Sequence, residues 1–372
     1  MSAPRLEVDL DKIHHNAKIL VDRLAGRGIS VTAVMKASLG SPEIARAVLR
    51  AGVRTIGDSR MENIEAMSRA GVNAPMMLIR SPMISDTQRV VRYADLSLNS
   101  ELDVIRQLSH AAKAAGRRHG VILMIELGDL REGIMPVDLE HAVGVVLDMP
   151  NIDLKGIGAN LACHCGVSPD SRNMDQLSAL ADSVEAVFGI TLEIISGGNS
   201  ANLNWAFSGA DTGRINNLRL GESLLLGCEP LHRQPIYGLY TDAITLVAEV
   251  IESKVKPSLP WGEIAQNAFG EKATAVDRGE IAQAILAIGR QDVDPDGLES
   301  PEGVDIIGAS SDHLIIDCGD FPLPVGAEVR FQLNYSAMVG AMTSPFVAKV
   351  LRASSAPDLV PAVMPHFDGI SG

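Results

Sequence analysis

Short apolar or β-branched runs, each followed by a helix-like stretch, recur through the first two thirds of the chain. This alternation limits the possible folds more than any other feature of the sequence. The strand-like runs fall at 31–36 (VTAVMK), 53–58 (VRTIGD), 76–80 (MMLIR), 94–98 (ADLSL), 121–127 (VILMIEL), 153–158 (DLKGIG), 191–196 (TLEIIS) and 215–220 (INNLRL). Between them lie segments such as SPEIARAVLRAG at 41–52, where Ser41 reads as an N-cap, Pro42 as a first helical residue and Gly52 as a stop. SELDVIRQLSHAAKAAG at 100–116 repeats the logic, with Ser100 in front and Gly116 behind. Regular strand-then-helix alternation implies a parallel sheet. Repeated this often, it closes most simply into a (β/α)₈ TIM barrel, an object of about 250 residues. An open doubly wound sheet is the alternative.

From about 235 the texture changes. AITLVAEVIESKVKP, QAILAIGR, VDIIGAS, DHLIIDC, AEVRFQL and SPFVAKVL are short alternating or apolar runs separated by Gly, Pro and Asp. Helical periodicity is nearly absent there, which predicts an all-β domain. The opening RLEVDL alternates in the same way and is expected to join that domain. The expected order is an N-terminal strand in 1–10, a barrel over 11–233, a β domain over 234–352 and a tail over 353–372.

Composition narrows the function. With 32 basic against 46 acidic side chains the net charge is −14, which argues against a nucleic-acid or anionic-membrane surface. The opening MSAPRLEVDLDK lacks the apolar core of a signal peptide, and no run reaches membrane-spanning length. A cytoplasmic location is therefore expected. Four cysteines in 372 residues are too sparse for a disulfide framework and read as reduced thiols. The cluster Cys163-His164-Cys165 invites a metal reading, but it lacks a second pair at finger-like spacing, so no metal is expected.

Barrel enzymes carry their chemistry on the C-terminal ends of the strands. Those ends hold Lys36, then Asp58-Ser59-Arg60, Arg80, Asn99, the GDLREG turn with Asp129, Arg131 and Glu132, Asn160, SGGNS from Ser196 to Ser200, and Arg219 with Gly221 and Glu222. Lysine at the end of a buried strand is either a surface amine or one that forms a Schiff base in a pocket. SGGNS and LRLGES suit an anion, because glycines let backbone N–H groups approach it and Ser200 adds a hydroxyl. An amine and a phosphate cradle on one rim are the two handles of pyridoxal phosphate.

EVDLDKIHHN, the lysine after AVM, GDLREG, SGGNS and LRLGES stand in the order and spacing of fold-type III pyridoxal-phosphate enzymes. The chain resembles the alanine racemase superfamily from residue 6 to about 350. SPEIARAVLRAGVRTIGDSRMENI, GANLAC, SGGNSANL, GRQDVD and GASSDHLIIDCGD look like its ornithine racemase branch. The resemblance implies a cofactor-dependent amino acid racemase, an isomerase, with pyridoxal 5'-phosphate as cofactor. Lys36 would carry the Schiff base and act as one of two bases. Ser200, Gly221 and Glu222 would hold the phosphate, with Ser196 and Tyr335 as further cofactor-site residues. Arg219 would meet the pyridine nitrogen, and Arg131 the phenolic oxygen and the substrate carboxylate.

The chain also departs from the family pattern. KASLG stands where KANAYG is usual, so the tyrosine expected near the phosphate is missing, and Asn160 replaces the histidine that packs on the ring. The segment that should carry the opposite-face tyrosine base reads SLPWGEIAQNAFG, with Trp261 near the expected spot. Glu263, His164, His313 and Tyr335 remain open as the second base. In the family this base comes from the neighbouring subunit, which implies a homodimer with shared active sites. A basic diamino acid such as ornithine or lysine is the expected substrate, with Asp129, Glu132 or Glu222 available for its distal ammonium. Arg80 and Arg60 are alternatively carboxylate holders or structural pairs. The rival readings are a decarboxylase of the same layout and a non-catalytic carrier of the cofactor.

Overall fold

The computed structural model describes residues 3–272 and 276–353. Strand β1 (Arg5–Asp9) precedes a closed barrel of eight parallel strands: β2 (Ser30–Val34), β3 (Thr55–Asp58), β4 (Met76–Leu78), β5 (Leu96–Asn99), β6 (His119–Ile125), β7 (Ile152–Ala159), β8 (Ile194–Ser196) and β9 (Asn217–Leu220). Each coincides with one of the runs read from the sequence. The strands are short and nearly all buried because both faces are covered, by barrel interior on one side and helices on the other. Closure comes from β2 lying parallel to β9, with Val31 opposite Leu218 and Thr32 opposite Arg219.

The capping logic holds where a side chain can reach. Ser41 Oγ accepts from Ile44 N at 3.4 Å and opens the helix Pro42–Arg50. The helix Leu102–Ala114 starts instead after Glu101, with no side-chain cap from Ser100.

Beyond the barrel the strands are β10 (Ile244–Pro257), β11 (Glu280–Leu286), β12 (Leu298–Glu299), β13 (Asp305–Ala309), β14 (Leu314–Asp317), β15 (Glu328–Leu333) and β16 (Ala348–Arg352). Six of them run in the order β12-β15-β10-β11-β14-β13. β1 completes this sheet as the alternating pattern of RLEVDL foretold, antiparallel to β10 and parallel to β16.

One element departs from the all-β expectation. Tyr335–Thr343 is an α-helix, opened by Asn334, whose side chain accepts from Ala337 N at 2.9 Å. Its buried residues Ala337, Met338, Ala341 and Met342 form one face, but Val339 and Gly340 between them are also small or apolar, so YSAMVGAMT shows no clear amphipathic period as a sequence. A short apolar run of this kind reads equally as a strand. The tail expected over 353–372 lies outside the described residues apart from Arg352's neighbour Ala353.

Candidate active site

A cavity of about 750 Å³ opens at the C-terminal rim of the barrel. Lys36 faces it from a 3₁₀ turn, Lys36–Ser38, that begins just past β2 rather than as the last residue of the strand. Among the described residues its Nζ has no hydrogen-bond or ion-pair partner, so the amine is available to a ligand. Leu39, at φ +52°, and Gly40, at φ +64°, turn the chain sharply after it. A Cβ on Gly40 would stand 2.7 Å from that of Asn63.

Asn63 belongs to the neighbouring feature. It donates from Nδ2 to both oxygens of Asp58 at 3.1 Å, and Arg60 N donates to Oδ1 at 2.9 Å. Asp58 is fully buried at the end of β3, and burial pushes its carboxyl up to about 6 despite these donors and nearby Lys36.

The anion cradle borders the same cavity, at the end of the neighbouring strand β9. Ser200 Oγ lies 2.9 Å from Ser223 Oγ and receives the backbone N–H of Ser223 at 3.3 Å and of Gly221 at 3.4 Å. These amides belong to the start of the short helix Glu222–Leu226. Two hydroxyls and two amides thus converge on one point beside the cavity, a donor set suited to phosphate oxygens. Ser223 was not singled out from the sequence, although it closes the same LRLGES motif.

Arg219 is 4% exposed, inside the mouth of the barrel. Its Nη1 donates to Ser196 Oγ at 2.5 Å, and its Nη2 to Ala159 O at 2.8 Å and Asn160 Oδ1 at 3.2 Å. Burial pulls its guanidinium down to about 10, so it remains a cation at neutral pH and can only donate. Ser196 acts through Arg219, donating its own hydroxyl hydrogen bond to Asn217 Oδ1 at 2.8 Å, rather than lining the cavity. Asn160 also accepts from Asn199 Nδ2 at 3.1 Å, which leaves its Nδ2 buried with no partner in the described residues. A spare buried donor beside an open cavity is what an acceptor on a bound group would satisfy. The amine, the cationic donor, the spare amide and the hydroxyl cradle together fit pyridoxal phosphate.

Arg60, Arg80 and Arg131 also line the cavity, and Glu132 pairs with the Arg131 guanidinium. Tyr335 enters from the β domain as the first residue of its helix, and burial raises its phenol to about 12, so it stays protonated at neutral pH. Cys163 and Arg233 complete the wall, and the sequence offered no signal for Arg233.

Besides Ser196, the expected site residues Asp129, Glu263, His313 and His164 do not line the cavity. Asp129 is corrected to a structural role: it is 1% exposed and does not reach the cavity. Its Oδ2 accepts from Cys163 N and His164 N at 3.1 and 2.9 Å, and its Oδ1 from Cys165 N at 3.1 Å and Val167 N at 3.4 Å. A carboxylate so occupied cannot bind a substrate ammonium. Glu263 is exposed on the long connection between β10 and β11, and His313 sits in the β13–β14 turn, Nδ1 2.8 Å from Asp312 Oδ1. Neither lines the cavity of its own chain. His164 packs with Nδ1 3.3 Å from Cys165 Sγ, and no group of three His, Cys, Asp or Glu residues among those described could hold a metal ion.

A barrel whose rim joins an amine to an anion cradle, with a β domain supplying one wall, defines a class of cofactor-binding folds. Comparison with known proteins makes the class specific. The family described as "Alanine racemase, N-terminal domain" matches residues 8–229. The chain is 38% identical over 352 residues to the ornithine racemase of Acetoanaerobium sticklandii, covering 94% of this chain and 99% of that protein. It is 37% identical over 356 residues to the lysine racemase of Thermotoga maritima, covering 95% and 100%. The alanine racemase of D-cycloserine-producing Streptomyces lavendulae shares the fold with a TM-score of 0.74 at 20% identity, over 95% of this chain and 98% of that one. The Bartonella henselae alanine racemase, solved with covalently bound pyridoxal phosphate, does so with a TM-score of 0.71 at 19% identity, over 95% and 100%. The chain belongs to the alanine racemase family.

Proposed function

We propose that this chain is a pyridoxal-phosphate-dependent racemase of basic amino acids. The carrying observation is that Lys36 and the Ser200–Gly221–Ser223 cradle line or border one cavity. Full-length similarity to an ornithine and a lysine racemase supports the substrate class.

Bound pyridoxal phosphate would supply an electron sink for negative charge developing at the substrate α-carbon. Ser200 and the amides of Gly221 and Ser223 would hold its phosphate, while Asn160 and Arg219 would contact its ring. Because Arg219 keeps its proton, it would donate a hydrogen bond to the ring nitrogen of a bound cofactor without giving up a proton, which would restrain side reactions. Arg131, steadied by Glu132, receives the substrate carboxylate. Lys36 takes and returns the α-proton on its own face of the substrate.

Inversion needs a proton carrier on the other face as well. We assign that role to a second copy of the chain. Leu259, Trp261, Ile264 and Phe269 are exposed around Glu263, an apolar surface that a homodimer would cover. Glu263 and His313 are the β-domain side chains proposed to reach the partner's cavity.

Holoenzyme incubated with L-ornithine or L-lysine should lose its circular dichroism as the two antipodes equilibrate. Carbon dioxide release in its place would mean a decarboxylase, and cofactor absorbance indifferent to every amino acid would mean a carrier. Lys36→Ala should abolish the absorbance of lysine-bound cofactor and lower racemisation by about 10²–10⁴-fold.

A further inference from the structure

A second, smaller cavity of about 240 Å³ adjoins the first, and Glu222 and Arg233 line both. Behind this pair its walls include Asp296, Glu299 and Asn334, the last directly before Tyr335 of the main cavity. The chamber therefore offers three carboxylates against one guanidinium, at a distance from the anion cradle set by a single residue. The Glu222 backbone follows Gly221 at the cradle, and its carboxylate meets Arg233 in the wall that the two cavities share.

Glu222 is an unusual carboxylate. Its side chain is 14% exposed, and among the described residues its ion pair is Oε1 to Arg233 Nη1 at 3.0 Å. Its second oxygen receives no hydrogen bond from the described residues. Arg233 is a weak permanent partner: it is 52% exposed and sits on a residue in the left-handed region, at φ +57°. The turn that carries it is clamped by Glu229, whose carboxylate accepts the amides of Leu231, His232 and Gln234. Glu229 is thereby spent, whereas Glu222 retains capacity for one more cationic donor. A chamber of about 240 Å³ has room for an aminopropyl or aminobutyl chain, since a water molecule occupies about 30 Å³.

We infer that Glu222 is the specificity-determining residue of the site, accepting the distal ammonium of a diamino acid whose side chain passes from the main cavity into this chamber. Arg233 is the internal cation that the ammonium displaces. The inference rests on the racemase reading above.

The test compares kcat/KM for L-ornithine with that for L-norvaline, which has the same carbon skeleton without the ammonium, in the holoenzyme. The wild type is expected to prefer ornithine. Glu222→Gln should lower the ornithine-to-norvaline ratio by about 30-fold, the scale of one charge-assisted hydrogen bond. Arg233→Gln should move the same ratio upward, because it removes the competing cation. These opposite directions are not expected of residues that only support the fold. An equal loss on both substrates in Glu222→Gln, or an Arg233→Gln ratio that is unchanged or lower, overturns the inference and leaves a racemase. If Glu222→Gln does not fold, the Arg233→Gln ratio alone decides. A wild type that racemises neither amino acid overturns the racemase reading, and this inference with it.

Discussion

Thr32 and Arg219 stand opposite each other in the parallel pairing of β2 with β9 that closes the barrel. Because these neighbouring strands end on the same rim, the Lys36 turn after β2 opens beside the cradle at Gly221 after β9. A Cβ added to Gly221 would lie 3.3 Å from Val34 O, which shows how tightly the two strand ends are apposed. The first and last strands of the barrel thus deliver the amine and the anion site to one cavity.

The cradle depends on Ser200 as its hub. Ser200→Ala removes one hydroxyl and leaves the Gly221 and Ser223 amides without their present acceptor. Pyridoxal phosphate affinity should fall about tenfold, the equivalent of one hydrogen bond of about 1.4 kcal/mol. Equilibrium titration of apoenzyme with the cofactor measures it, and an unchanged dissociation constant would remove Ser200 from the phosphate site.

The Asp129 carboxylate ties the 163–167 loop to the GDLREG turn through four backbone amides, and His164 Nδ1 lies 3.3 Å from Asp129 O beside them. Asp129→Ala should cost about 2–3 kcal/mol, since buried amides left without an acceptor are expensive. Hydrogen exchange should quicken at the amides of Cys163, His164, Cys165 and Val167 before it changes anywhere in the barrel. Protection that stays as in the wild type would show that the loop is held by something else.

Two buried groups give opposite pH trends. Asp58 titrates at about 6 in the folded chain against an ordinary 3.8. Between those values the folded chain keeps a proton that the unfolded chain has released, so stability falls as pH rises, by about 3 kcal/mol in all. His119, buried with Nε2 2.7 Å from Ser97 Oγ, is lowered to about 4 from 6.5. Below 6.5 the unfolded chain takes up a proton that the folded chain refuses, so stability falls as pH drops, again by about 3 kcal/mol. Denaturant unfolding across pH 4–7 should show Asp58→Asn losing the first slope and His119→Gln losing the second. A variant whose curve parallels the wild type would show that its group is not shifted as described.

The barrel was legible in the sequence because each strand is a short apolar run followed by a helix-like stretch. Lys36, Ser200, Asn160 and Arg219 stood out as polar residues at or just past the ends of such runs, and the structure brings all four to one cavity. The Tyr335 helix escaped detection because small and apolar residues occupy its less buried face as well as its buried one, which blurs the helical period in the sequence. Asp129 was misplaced because its composition and position on the rim are those of a ligand-binding residue. Only its four amide partners, from a loop more than thirty residues later, reveal that it faces inward. Arg233 lies in a connection without periodicity or motif, so nothing marked it.

The sequence alone determined the alternation of strands and helices, the order in which reactive residues appear along the rim, and the separate β domain with its borrowed first strand. These follow from local patterning, since burial on two faces or one dictates which residues a strand can carry. Tertiary structure decided which rim carboxylate is spent on backbone amides and which is left facing a chamber, and it brought Tyr335, from a helix of the β domain, to the cavity that Lys36 lines. Such choices depend on hydrogen-bond partners distant in the chain, and a side chain's direction at a strand end is set by whichever partner the closed barrel places within reach.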